Sequence, residues 1–372
     1  MLTIENEGRV WQHYNPTRIV AGGIDDIGSC VLPGENVLLV TTRGFARRGL
    51  VRRLHGTLKN CNLTVLDNVD PNPSLDFIDQ ALLCFKNQSI DRIVALGGGS
   101  ALDVGKALSL MIPCNIDRPL QKIFREGHEH HWEKKLPLIA IPTTAGTGAE
   151  VTNFATVWDY QAKRKYSLAS SLLFPDVAYL DANLTITLPA DETLYSGLDA
   201  LSHALESLWN KNCTSVSRAM AIHSLGLLVD TLPKVLRQPD NVRLRSDMLN
   251  ASLLSGLAIS QTRTAIAHSI SYPLTTNYSI PHGLACSFTL PALLRINLER
   301  IASDEMEKAL FGAVLSLLEG LALEEKIYNY ASFQEIERLV SEMYTPGRSD
   351  NYRGEDLGGV RRVLDVALKM KY

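Results

Sequence analysis

Two glycine-rich turns, each closing a short apolar run, limit the fold of this chain more than any other feature of its sequence. Residues 92–96 run into Gly97-Gly98-Gly99-Ser100, and residues 136–141 run into Pro142-Thr143-Thr144-Ala145-Gly146-Thr147-Gly148. Two further strand-like runs lie at 36–40 and 61–66, with helical patterns between the runs. Strands alternating with helices, with glycine turns at their C-terminal ends, predict an α/β sheet whose ligand site lies along that edge. From about Asp191 the pattern changes to long stretches at helical period, at 193–209, 215–236, 242–258 and 302–323. The expectation is therefore an α/β domain at 1–185 and an all-helical domain at 186–372. A length of 372 residues suits two domains of ordinary size. The region 302–372 carries no readable chemistry, and 344–354 reads as a loop.

Composition excludes several function classes. A net charge of -3 argues against a nucleic-acid partner. No apolar run approaches the roughly 18 residues that a membrane span needs. The N-terminal 15 residues are mixed and polar rather than basic-then-apolar. The six cysteines are scattered without a close pair, as in a chain of reduced thiols. A cytoplasmic enzyme with a small-molecule partner, no membrane and a homodimer as its assembly is the expectation.

A glycine turn between strand and helix lets backbone N–H groups approach a pyrophosphate at the positive end of the helix. A tight βα turn without a ligand gives the same sequence, and Leu102 stands where the usual dinucleotide fingerprint needs its last glycine. A second such turn, with the hydroxyls of Thr143, Thr144 and Thr147, tips the reading toward a bound dinucleotide. Asp199 and His203 are four apart in a helical pattern, so both leave one face and can share a cation. His268 and His282 lie further along the chain, and one carboxylate with three imidazoles suits Fe(II) or Zn(II) rather than Mg(II) or Ca(II). His128-Glu129-His130-His131 reads as a solvated loop.

Taken in order, Gly97-Gly98-Gly99-Ser100-x-x-Asp103-x-x-Lys106, Pro142-Thr143-Thr144-x-Gly146-Thr147-Gly148-x-Glu150, Gly197-x-Asp199-Ala200-x-x-His203, His268 and Pro281-His282-Gly283 resemble the iron-dependent alcohol dehydrogenase family. The resemblance implies a Rossmann-like α/β dinucleotide-binding domain at 1–185 followed by an all-helical metal- and substrate-binding domain at 186–372, the architecture shared with dehydroquinate synthase. It implies that Asp199, His203, His268 and His282 ligate Fe(II) or Zn(II). It also implies that Thr42, Arg43, Asn72, Gly98, Gly99, Ser100, Asp103, Thr143, Thr144, Thr147 and Lys165 contact NADPH or NADH, with Asp103 close to the nicotinamide. Of the two alternatives, a sugar-phosphate cyclase of the dehydroquinate synthase type lacks the Gly-x-Asp-Ala-x-x-His motif, and a dehydrogenase of neutral short-chain alcohols shares it.

Three positions depart from the family pattern. Tyr272 replaces a common histidine four residues after His268, so that proton delivery falls to water, a ribose hydroxyl or Tyr272 itself. The acidic residue usual after the first strand is Thr42, next to Arg43, which favours NADPH at least as well as NADH. The small-residue stretch before His268 reads Gln261-Thr262-Arg263-Thr264-Ala265, and Arg263 there is a candidate for holding an anionic substrate, with donors from Thr262, Thr264 and Asn277. Residues 267–275 resemble the branch that reduces phosphonoacetaldehyde to 2-hydroxyethylphosphonate.

Overall fold

A computed structural model describes residues 10–114, 116–352 and 357–369. The polar stretch at 1–9 and the end of the 344–354 loop lie outside the described residues. The chain forms two compact units.

The first unit, residues 15–144 and 149–185, holds β1 (Arg18–Ala21), β2 (Asn36–Val40), β3 (Asn62–Leu66), β4 (Arg92–Gly97), β5 (Leu138–Pro142), β6 (Phe154–Asp159), β7 (Arg164–Ala169) and β8 (Val177–Leu180). Its helices are α1 (Arg43–Arg47), α2 (Leu50–Thr57), α3 (Leu75–Phe85), α4 (Gly99–Met111) and α5 (Pro119–Phe124). Six strands pair in parallel in the order β1-β8-β5-β4-β2-β3, and β6 and β7 form a separate antiparallel hairpin. The central strands are apolar throughout because both faces are covered. Ile93 and Ala95 of β4 enter one core with Leu102 and Leu108, while Val94 and Leu96 enter another with Ile24 and Leu54.

The chain passes from β2 to β3 on one side and then returns past β2 to β4. Ligands of open α/β sheets bind outside the strand C-termini at such a reversal. Here Thr42-Arg43 ends β2 and the 97–100 turn ends β4. Sequence reading found β2 to β5 but not β1, β8 or the hairpin. β1 has four residues at the sheet edge, three of them exposed, and β7 is rich in Arg, Lys and Ser, so neither shows an apolar run.

The second unit comprises 186–372 with Ala145–Gly148 and the residues up to Tyr14. It contains α6 (Ala190–Leu208), α7 (Ser215–Arg237), α8 (Val242–Thr262), α9 (Ile266–Tyr278), α10 (His282–Ser287), α11 (Leu290–Ile301), α12 (Glu305–Gly320), α13 (Leu323–Tyr328), α14 (Phe333–Arg338) and α15 (Leu357–Lys369). Caps fix the starts of the long helices: Thr214 and Ser217 form a capping box on α7, and the Asn241 and Asp304 side chains cap α8 and α12.

Among the described residues α7 is long and apolar enough to cross a membrane, which corrects the sequence reading that no such run exists. Its buried residues Ala221, Leu225, Leu228, Leu232 and Val235 recur at helical spacing, and Arg218, Asp230 and Lys234 interrupt the run. It packs on α6 and α8 within the helical core.

Candidate functional site

Helix α6 carries Asp199, His203 and Glu206 at i, i+4 and i+7, a single helical face turned into the unit's interior. Asp199 Oδ1 is the focus of the cluster. His203 Nε2 lies 3.5 Å from it, His268 Nε2 3.3 Å and His282 Nε2 3.8 Å. The His203 and His268 rings stack at 4.8 Å, and His282 meets His268 edge-on at 5.3 Å. Asp199, His203 and His268 are buried, and His282 is half-buried.

Each of the two deepest imidazoles is oriented through its other nitrogen. His203 Nδ1 donates to the Gly146 carbonyl at 3.2 Å, and His268 Nδ1 donates to Glu206 Oε2 at 2.6 Å. Nδ1 thus carries the proton in both rings, and each Nε2 lone pair points toward Asp199. The other Glu206 oxygen accepts from the backbone N–H groups of Ala267 and His268, at 2.7 and 3.3 Å. It thereby satisfies the first turn of α9, whose N-cap Ala265 has no side chain to do so.

Burial acts to raise the Asp199 pKa, but the adjacent His203, His268 and His282 imidazoles hold the carboxyl far below its usual range. Burial lowers His203. Burial also opposes charge on His268, yet Glu206 and Asp199 outweigh it and raise that ring. Buried imidazole nitrogens converging on an ionised carboxylate fit a borderline divalent ion, because the His268 Nε2 is buried with no well-formed hydrogen bond of its own. Nδ1 donation to a carboxylate or carbonyl is also the usual support of a ligating histidine.

Two residues of the cluster escaped sequence reading. Glu206 continues the 199, 203 face by one turn, a spacing that could have revealed it. Cys286, one turn after His282, places Sγ 3.5 Å from Asp199 Oδ1. The candidate ligand atoms of Asp199, His268, His282 and Cys286 lie within 4.8 Å of one another. Burial pushes the Cys286 thiol well up, so it stays protonated.

Beside the cluster, the Tyr272 ring stacks on His282 at 6.4 Å. Arg263 ends α8 with φ 65° and is half-buried. Burial lowers its pKa. The Thr262 hydroxyl bonds Ser207 and the backbone, and the Asn277 amide bonds the Pro273 carbonyl. The Thr262 hydroxyl is thus engaged within the helical unit, while Asn277 is exposed and uses one of its two amide N–H groups on its own helix. Thr264 instead accepts at 3.1 Å from Arg348 Nη1, a guanidinium that also donates to Tyr272 Oη and lies over its ring. Arg348 comes from the region that had no readable chemistry.

The α/β unit gathers most of the expected dinucleotide residues. Helix α4 begins within the glycine turn, so its positive end faces that turn. Ser100 Oγ accepts from the Asn72 N–H at 3.1 Å, and Thr143 N–H donates to the Gly97 carbonyl at 3.0 Å. A Cβ on Gly98 would lie 3.4 Å from the Thr144 methyl, so Gly98 and Thr144 are in close contact. Asp103 Oδ2 accepts from Thr156 N–H at 2.9 Å on the hairpin. Burial raises Asp103 to about 6, against the pull of Lys106 and Lys165.

Lys165 lies over the Trp158 ring. Thr42 caps the start of α1 without a side-chain hydrogen bond, and Arg43 is exposed. Thr147 belongs to the Ala145–Gly148 segment of the helical unit rather than to the α/β unit. There Gly148 has φ +59°, and a Cβ on it would fall 2.4 Å from Gly256 Cα, so only glycine fits.

Residues 16–182 match the family "Iron-containing alcohol dehydrogenase" and residues 193–357 match "Fe-containing alcohol dehydrogenase family, C-terminal". The chain is 35% identical over 249 residues to the "Probable alcohol dehydrogenase EutG" of Escherichia coli, covering 67% of this chain and 62% of that one, under two thirds of the relative's length. It is 32% identical to the sulfoacetaldehyde reductase of Bilophila wadsworthia, covering 77% of this chain and 74% of that one. The solved sulfoacetaldehyde reductase of Bifidobacterium kashiwanohense, in complex with NAD+, superposes with a TM-score of 0.85 at 27% identity, covering 98% of this chain and 100% of that one.

Proposed function

Because the chain belongs to the iron-containing alcohol dehydrogenase family, we propose that it is a nicotinamide-dependent reductase of a small anionic aldehyde, with phosphonoacetaldehyde as the candidate substrate. The observation that carries the reading is the convergence of three imidazole Nε2 atoms on Asp199 Oδ1, with Arg263 one short segment before His268. Asp199, His203, His268 and His282 would hold the divalent ion. When bound, that ion supplies Lewis acidity toward the carbonyl oxygen, and the nicotinamide supplies the hydride.

The protein's own residues hold and orient. Glu206 and the Gly146 carbonyl fix the tautomers of His268 and His203, so that neutral Nε2 atoms face the site. The glycine turn after β4, with Thr143 and Thr144, would seat the dinucleotide phosphates at the positive end of α4. Tyr272, stacked on His282, offers a hydroxyl for the proton that reduction of the carbonyl requires. Arg263 would hold the substrate's anionic group; such a contact favours a tetrahedral oxyanion through paired N–H donors. The sulfoacetaldehyde reductases among the relatives support a small anionic aldehyde as the substrate class.

The test is a panel of aldehydes reduced by the metal-loaded enzyme with NADH and NADPH. An anionic aldehyde should be preferred to propanal by about 100-fold in kcat/KM, the scale of losing one charged partner. Arg263→Ala should erase most of that preference. A wild-type preference for the neutral aldehyde overturns the anion reading and leaves the reductase reading in place.

A further inference from the structure

We propose that Cys286 Sγ is a fifth protein donor to the metal centre, a soft sulfur ligand that binds the ion directly and biases the centre toward Zn(II) over harder ions such as Mn(II). This rests on the metal reading above and adds to its donors Asp199, His203, His268 and His282. The first observation is position. Helix α10 carries His282 and Cys286 four residues apart, so both leave one face of a helix that packs on α6. Cys286 Sγ lies 3.5 Å from Asp199 Oδ1, the atom on which the three imidazoles converge at 3.3, 3.5 and 3.8 Å. Metal–sulfur lengths of about 2.3 Å and metal–oxygen lengths of about 2.1 Å put adjacent sulfur and oxygen ligands of one ion about 3.1–3.6 Å apart, from right-angle to tetrahedral geometry. The thiol already stands at that separation.

The second observation is which donors close up. The ligand atoms of Asp199, His268, His282 and Cys286 come within 4.8 Å of one another, and they stand on α6, α9 and α10. The thiol thus belongs to the same convergence as two of the imidazoles. His268 independently marks the gap as a ligand position. Its ring is 2% exposed, its Nδ1 is spent on Glu206, and its Nε2 faces Asp199 with no well-formed hydrogen bond of its own. A buried imidazole nitrogen and a buried thiol directed at one carboxylate oxygen share one unmet need, an electrophile between them.

Cys286 Sγ has two other neighbours, the Gly283 carbonyl at 3.5 Å and the Ser287 hydroxyl at 3.8 Å. Both lie on its own helix, and a serine hydroxyl would serve them better than a weak S–H donor. The side chain is wholly buried, so solvent does not compete for the sulfur. The proton that the thiol carries in the metal-free chain passes to solvent as the metal–sulfur bond forms, with no change of oxidation state. Five protein donors leave one position of an octahedral ion for the carbonyl oxygen. Thiolate suits Zn(II), whereas Mn(II) prefers carboxylate, carbonyl and water oxygens.

The full chain, chelated and reloaded with Co(II), tests this by absorption spectroscopy without reliance on turnover. Wild type should show an intense near-ultraviolet thiolate-to-cobalt charge-transfer band beside the weak visible bands of bound Co(II). Cys286→Ala should keep the visible bands and lose the near-ultraviolet one. Cys286→Ser, closer in size to the native residue, guards against a packing defect in the alanine variant and should lose the same band. In competitive titrations Cys286→Ala should weaken Zn(II) by about 10- to 100-fold, the scale on which supporting contacts act at metal sites. Mn(II) should weaken by about 3-fold or less, because it gains little from sulfur. A wild type that binds Co(II) without the charge-transfer band, or a variant that loses Zn(II) and Mn(II) equally, overturns the proposal and leaves the four-donor site standing. A wild type that binds no Co(II) removes the metal reading beneath it as well.

Discussion

Glu206 Oε2 accepts from His268 Nδ1 at 2.6 Å, while the same carboxylate caps the helix on which His268 stands. One side chain thus fixes both the backbone that presents the imidazole and the tautomer that turns Nε2 toward Asp199. Glu206→Gln keeps an acceptor but loses the charge, and its amide can present N–H to N–H. Metal affinity is expected to fall about 10- to 100-fold, a typical cost of losing such a support, with kcat restored at saturating metal. Titration of the chelated variant with Fe(II) or Zn(II) checks this; unchanged affinity would show that α9 orients His268 unaided.

Removing a ligand should do more. His268→Ala or His282→Ala is expected to abolish turnover and to lower bound metal to a small fraction of one ion per chain. Metal analysis after gel filtration measures it. Full activity in either variant, or in the chelated wild type, would falsify the metal assignment.

The donors on α6 were legible because a helix makes i, i+4 neighbours of Asp199 and His203, and the strands around both glycine turns were legible because burial on two faces leaves continuous apolar runs. Glu206 and Cys286 obey the same spacing but are ordinary residue types, and only their distances mark them. Arg348 had no signal at all. Its placement depends on contacts between segments about eighty residues apart, such as Ser269 with Ser349, which no local pattern encodes.

Gly283 stands next to His282 and is pressed against α6: a Cβ there would fall 1.8 Å from the Tyr195 carbonyl oxygen. That oxygen belongs to a helix backbone and cannot swing aside, so α10 must move and take His282 with it. Gly283→Ala is expected to cost about 1–3 kcal/mol or more in stability and to weaken metal binding, even though the ligand itself is intact. Thermal unfolding with and without metal reads both effects. A variant with wild-type stability and affinity would mean that α10 has more slack than its packing shows.

Two carboxyls in the α/β unit, Glu150 buried and Asp103 half-buried, make stability fall with rising pH. Burial raises Glu150 to about 7 from 4.5, against its own backbone hydrogen bond and Lys106, and raises Asp103 to about 6 from 3.8. The native state therefore holds these protons where the unfolded chain has released them. The stabilisation is full below the ordinary carboxylate values and is lost as pH climbs to about 7, with Glu150 accounting for about 3 kcal/mol at most. Glu150→Gln removes one titration, so the decline in melting temperature between about pH 5 and pH 8 should shrink. An unaltered decline would assign the effect to other groups.

Cofactor choice turns on the residues at the C-terminal end of β2. In open α/β sheets a carboxylate at that strand end accepts from the ribose 2′-OH and repels a 2′-phosphate. Here Thr42 occupies the position and makes no side-chain capping bond, Arg43 beside it is exposed, and the first turn of α1 holds no acid. This turn therefore presents no carboxylate against a 2′-phosphate, and the Arg43 side chain can swing toward one. NADPH should serve at least as well as NADH in kcat/KM. Thr42→Asp restores the missing carboxylate and should move the ratio toward NADH by about 10-fold or more, the size of one new charge-assisted hydrogen bond together with one added repulsion. Arg43→Ala should lower NADPH use alone, and less steeply, because an exposed pair is screened by solvent and salt. A strong wild-type preference for NADH, unmoved by Thr42→Asp, would place 2′-recognition elsewhere and leave Arg43 a surface residue.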